Sequence, residues 1–162
     1  MVKLKARIYF DFDGTVADLY GMSDWKSKLE AEERGVFINC EPLVNMDILN
    51  GLCNALKPFG YEFIGLTWLP KHASREYERD CEQEKKAWAE QHFSALDKVK
   101  CLSYGVKKQH GAKKGRAFLI DDNREVLSQW ETPVERTAVY AENMLDFLIE
   151  LLVAEVKAEV AL

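Results

Sequence analysis

The chain has 162 residues, 48% of them apolar and 30% charged, a globular rather than a disordered mixture, long enough for one domain with a real core. Lys and Arg total 22 against 27 Asp and Glu, and the net charge of -5 argues against general binding along a nucleic-acid backbone, which needs a basic face. No run approaches the roughly 18 apolar residues of a membrane span, and "MVKLKARIYF" lacks the apolar stretch and cleavage site of a signal peptide. The cysteines, Cys40, Cys53, Cys81 and Cys101, show neither a C-x-x-C pair nor zinc-finger spacing, so they read as reduced thiols of a cytoplasmic protein.

In chain order, the first β-like run is "RIYFDF". Residues 17 to 46 follow, too long a stretch for a plain βα loop. It contains a short charged helix, "SDWKSKLEAEER", with Ser23 or Asp24 as N-cap, and reads as a small lid over the C-terminal edge of a sheet. Residues 46 to 57 place Leu49, Leu52, Cys53 and Leu56 at i, i+3, i+4, i+7 spacing, a helix that "KPFG" stops. After the run "YEFIGL", residues 74 to 93 predict a long helix whose thinner apolar side carries Tyr77, Cys81 and Trp88. Its charges read as a solvated face with supporting pairs such as Glu82 and Lys86. The runs "KCLSYG" and "AFLIDD" come next, then a helix "REVLSQW" for which Asn123 is the expected cap, then the run "TAVYAE". A final helix over 142 to 160 carries Leu145, Leu148, Ile149, Leu152 and Val156 as its stripe, either finishing the core or forming an interface, so the chain is a monomer or a dimer. Continuous apolar runs fit central parallel strands, and their alternation with helices predicts a Rossmann-like, doubly wound α/β sheet. The expected organisation is a single domain with its core at 1–16 and 47–162 and a cap insertion at 17–46.

Three strands are expected to end in groups suited to phosphate and metal chemistry: Asp11 and Asp13 on the first, Thr67 on the second, Asp121 and Asp122 on the fourth. Parallel strands bring such residues to one edge. Clustered carboxylates repel one another and are costly to desolvate without a cation. A hard ion such as Mg²⁺ takes one or two carboxylates, keeps waters and bridges to a phosphate. A carboxylate so held can attack phosphorus, and a second one two residues on, past a glycine, can serve as acid and then base. A hydroxyl and an ammonium opposite would hold the phosphoryl oxygens. His72, His92 and His110 lack ligand spacing and read as surface or packing residues, while Tyr20, Trp25 and Phe37 in the lid either pack on the core or stack on a base.

"DFDGT" at 11–15, Thr67, a lysine upstream of the fourth strand and "LIDDN" at 119–123 resemble, in order, the four motifs of the haloacid dehalogenase (HAD) superfamily, and the wording of most of the chain resembles its small 5'-nucleotidase-like phosphatases. The resemblance implies a HAD core in which Asp11 is the nucleophile, Asp13 the general acid/base, and Thr67 a hydrogen-bonding partner of the phosphoryl group. It implies Mg²⁺ held by the Asp11 carboxylate, the Asp13 backbone carbonyl and one acid of the Asp121–Asp122 pair, with Asp122 favoured. Relatives in that superfamily tend to read Y-G-x-x-K here, so the resemblance implies Lys108, after Tyr104 and Gly105, as the phosphate lysine, with Lys107 the alternative. Gly14, Thr15, Trp68, Tyr20 and Lys107 complete the expected substrate contacts. The implied activity is hydrolysis of a small phosphomonoester such as a nucleoside monophosphate. Its rivals are a phosphatase acting on a nucleic-acid end or a protein, and a non-catalytic HAD-fold protein that binds a phosphate ligand or a partner.

Overall fold

In the first apolar run Ile8 and Phe10 turn to one face of a sheet and Tyr9 to the other, and all three are buried. Both faces are therefore covered, which is why the run is continuous rather than alternating. The computed structural model describes residues 2–130 and 135–162. Strands β1 (Ala6–Phe10), β2 (Tyr61–Trp68), β3 (Lys98–Leu102), β4 (Ala117–Asp121) and β5 (Arg136–Tyr140) form one all-parallel, five-stranded sheet in the order β3-β2-β1-β4-β5. Helices α1 (Trp25–Glu30), α2 (Met46–Leu56), α3 (Arg75–His92), α4 (Arg124–Trp130) and α5 (Met144–Val160) complete a Rossmann-like α/β fold. The face carrying Ile8 and Phe10 packs on Leu49 and Cys53 of α2, Cys81 and Trp88 of α3, and Met144 and Leu148 of α5. The opposite face packs Tyr9 and Leu119 on Val126, Leu127 and Trp130 of α4.

Chain order runs outward from β1 to β3, then returns to the far side of β1 for β4 and β5. The strand order thus reverses between β1 and β4, and the crevice beyond the carboxyl ends of those two strands is where such sheets hold ligands.

Several elements differ from expectation. The helix read over 23–34 is only the six residues of α1, because Asp24 (φ 57) and Glu32 (φ 53) take left-handed backbone at its two ends, and Asp24 makes no side-chain cap. Strand β3 starts at Lys98 rather than Lys100 and stops at Leu102, before a turn at Ser103–Gly105. It lies at the sheet edge, where Lys98 and Lys100 can face solvent, so its charges disguised it. The stripe of α5 is rotated from the expected one. Met144, Leu148 and Glu155 turn inward, while Ile149 and Val156 are each 44% exposed.

The charged face of α3 is not merely solvated. The helix and its N-cap Ser74 fasten the 17–46 segment: Ser74 N–H and Oγ donate to Glu32, Tyr77 Oη donates to Glu33 O at 2.7 Å, and Arg34 pairs with Asp80 at 3.0 Å. Glu84 accepts from the backbone N–H groups of Gly35 (2.5 Å) and Phe37 (3.0 Å), and Trp88 Nε1 donates to Cys40 O at 2.7 Å. The Glu82–Lys86 pair forms as expected, at 2.7 Å. Among the described residues no helix is long and apolar enough to cross a membrane.

Candidate active site

Asp11 follows β1 directly, and its N–H still donates to Ile120 O of β4 at 2.9 Å, so the sheet ladder aims it. The chain then coils, with the N–H groups of Thr15, Val16 and Ala17 all turning back to Phe12 O. The coil drives Phe12 into the core against Trp88 and leaves Asp11 and Asp13 at the wall of a cavity of about 470 Å³. Gly14 has φ 81, and a Cβ there would run into Asp122 Oδ2 and the Tyr20 ring, so only glycine lets the two motifs approach. Thr15 Oγ1 lies 3.2 Å from Asp11 Oδ2 and 3.3 Å from Asp122 Oδ1, and it accepts the Asp122 N–H at 3.1 Å. Its single proton can serve only one of those carboxylates at a time.

The structure separates the two lysine candidates. Lys108 is buried on a 3₁₀ turn, Lys108–Gly111, and its Nζ lies 2.5 Å from Asp11 Oδ1 and 2.6 Å from Asp121 Oδ2. Gly111 makes that approach feasible, since a Cβ there would sit 2.7 Å from Leu66 Cδ1. Lys107 is exposed and does not line the cavity. The adjacent acids also divide. Asp121 is buried, bound to Lys108, and accepts the Asn123 N–H at 2.9 Å. Asp122 is half-buried, with the Thr15 hydroxyl beside it and, among the described residues, no ion pair of its own. Asn123 itself accepts the N–H groups of Glu125 and Val126, the cap expected for α4. Carboxylate oxygens of Asp11, Asp121 and Asp122 all lie within 4.8 Å of one another.

Electrostatics follow from this crowding. Burial, then the neighbouring Asp11 charge, push the Asp121 carboxyl up to about 7, with Lys108 opposing. The same two causes raise Asp122. Burial raises Asp13 as well, against the pull of Lys85. For Lys108 burial opposes the charge, and Asp11 with Asp121 outweighs it, so its pKa lies above the ordinary lysine value. The thiols are out of play. Burial pushes Cys40, Cys53 and Cys81 up to about 12 and Cys101 to about 11.

Asp11, Asp13, Tyr20, Trp68, Lys108 and the Asp121–Asp122 pair all line the cavity. Gly14, Thr15 and Thr67 lie behind its wall, Thr67 wholly buried. Aromatic pairs stand at the mouth: Tyr20 with Trp25 at 5.1 Å between centroids and Trp68 with Tyr104 at 5.2 Å. Phe37 lines the cavity too, and so does His72, which the sequence left as a surface or packing residue.

The residue that sequence reasoning missed is Lys85. It is 1% exposed, donates to Asp13 Oδ2 at 2.6 Å and Thr67 Oγ1 at 2.8 Å, and rests 4.3 Å from the Phe37 ring centroid. A signal existed. Lys85 falls four residues after Cys81 and three before Trp88, on the apolar stripe rather than the charged face. Neither a scan against protein-family models nor a search of curated proteins finds a match for this chain.

Proposed function

We propose that the chain is a Mg²⁺-dependent phosphomonoester hydrolase of the HAD type, with residues 17–46 as its lid, working in the cytoplasm through an aspartyl-phosphate on Asp11. The observation that carries this reading is the Asp11 carboxylate, held by Lys108 at 2.5 Å beside Asp121 and Asp122, at the mouth of the crevice between β1 and β4. A divalent cation fits the donor set. Oxygen ligands converge from three carboxylates, and Asp122 has no cation of its own among the described residues. Asp11, Asp122 and the Asp13 backbone carbonyl would hold Mg²⁺, which supplies charge neutralisation between the carboxylates and a substrate phosphate.

In the first step Asp11 forms a bond to phosphorus as the bond to the leaving oxygen breaks, and the Asp13 carboxyl gives that oxygen its proton. In the second, water attacks phosphorus, its proton passes to Asp13, and the acyl-phosphate bond breaks to restore Asp11. Burial shifts Asp13 towards its protonated form against the pull of Lys85, the direction the first role requires. Lys108 stabilises the phosphoryl charge from beside the nucleophile. The aromatic pairs at the mouth suit a small substrate with a planar group, such as a nucleoside monophosphate.

The test is phosphate release from p-nitrophenyl phosphate and a panel of nucleoside monophosphates. Turnover should need Mg²⁺, vanish with EDTA, and fall about 10⁴-fold or more in Asp11→Asn. Turnover that survives in Asp11→Asn would sink the nucleophile assignment.

A further inference from the structure

We infer that Lys85 is the positioning residue of Asp13: from the inward side of α3 it fixes the acid/base carboxylate and orients the hydroxyl of Thr67. This rests on the catalytic reading above, and it draws on a group that the four motifs do not contain.

A lysine with 1% exposure is rare unless its charge is answered, and here the answer is unusually directed. The ammonium has three N–H bonds and no lone pair. One reaches Asp13 Oδ2 at 2.6 Å and one reaches Thr67 Oγ1 at 2.8 Å. The charge lies over the Phe37 ring at 4.3 Å, and Phe37 is held in turn by the carboxylate of the adjacent Glu84, through its N–H at 3.0 Å. Two consequences follow. Thr67 must accept from Lys85, so its own proton is directed elsewhere, which leaves it a donor. Asp13 is gripped by one oxygen only. Its Oδ1 is buried with no hydrogen-bond partner among the described residues, while the residue lines the cavity. A buried, unpartnered carboxyl oxygen at a cavity wall is costly in a purely structural acid and useful in one that must exchange a proton with a ligand.

Lys85 and Lys108 therefore divide the work. Lys108 binds Asp11 and Asp121 and faces the cavity, whereas Lys85 binds Asp13 and Thr67 from behind. Without Lys85, Asp13 keeps its place in the chain and loses its fixed rotamer. The nucleophile would be untouched and the proton transfers impaired.

The experiment compares Lys85→Met, Asp13→Asn and the double variant with the unaltered protein on p-nitrophenyl phosphate, following the burst of p-nitrophenolate and steady-state turnover. p-Nitrophenolate leaves without a proton, so the burst reports attack by Asp11 and turnover reports hydrolysis assisted by Asp13. Lys85→Met should keep the burst rate and kcat/KM within about threefold and lower kcat about 10²-fold, so that KM falls along with kcat as phosphoenzyme accumulates. Adding Lys85→Met to Asp13→Asn should change kcat by less than about twofold, since the role acts through Asp13. The double variant also covers a folding failure of the single one, because it removes the carboxylate that would be left buried and unpaired. A full multiplicative loss on top of Asp13→Asn, a burst that falls along with kcat, or a kcat within threefold of the unaltered protein would each overturn the role. Absence of Mg²⁺-dependent turnover in the unaltered protein fails differently: it overturns the catalytic reading itself, and this role with it.

Discussion

The two edges of the sheet both bury carboxylates, and they treat them differently. At the edge where the strands begin, Glu155 of α5 is met by Lys5 Nζ at 2.5 Å on one oxygen and by Tyr61 Oη at 2.6 Å on the other. Each oxygen of that carboxylate has a partner, and the group closes the bottom of the fold. At the edge where the strands end, Asp11, Asp13, Asp121 and Asp122 share Lys85 and Lys108, and the excess is negative. Among the described residues Asp13 Oδ1 has no partner, and Asp121 is held up to about 7 by burial and by Asp11. A satisfied cluster supports the fold, whereas an unbalanced one is a cost that only a ligand or a cation relieves.

The largest expected effect breaks the unbalanced edge. Lys108→Met leaves Asp11 and Asp121 buried without their ammonium, and denaturant unfolding of the metal-free protein should show a loss of about 3–5 kcal/mol. A loss below about 1 kcal/mol would mean that water reaches the cluster and takes the place of the ammonium.

A smaller effect sharpens the contrast through pH. Folded Asp121 titrates near 7, and an unfolded aspartate near about 3.9. Between those values the folded chain holds a proton that the unfolded chain has released. The contribution of this group to stability is therefore greatest at the acidic end and declines as pH rises from about 4 to 7. Thermal unfolding of the metal-free protein should show that decline superimposed on other titrations, and Asp121→Asn should remove it. A profile unchanged by the substitution would contradict the raised value.

The smallest effect is expected at the satisfied edge. Lys5 is 44% exposed on its side chain, so Lys5→Met should cost under about 1 kcal/mol, because water can replace it and Tyr61 still serves Glu155. A cost as large as that of Lys108→Met would erase the distinction between the edges.

Much of the fold was legible because it depends on local pattern. Continuous apolar runs marked β1, β2 and β4, and the spacing of Leu49, Cys53 and Leu56 marked α2. The strand ends at Asp11, Thr67 and Asp121 could be read as one edge because parallel connections bring them there. β3 was less legible, since an edge strand tolerates Lys98 and Lys100 where a central one would not.

What the sequence by itself determined is the order of strands and helices, the burial of both sheet faces, and a set of carboxylates placed at strand ends. Hydrophobic period and composition carry that much, because they act over a few neighbouring residues. Tertiary structure alone decided which lysine answers which acid. Lys107 and Lys108 are adjacent in sequence, yet only Lys108 turns inward to Asp11, on a turn whose Gly111 leaves no room for a Cβ beside Leu66. Glu84 and Lys85 are adjacent too, and the helix sends one to the backbone of residues 35–38 and the other to Asp13. Charge alone does not distinguish such neighbours; the direction of each side chain does, and direction is set by what the rest of the chain packs against.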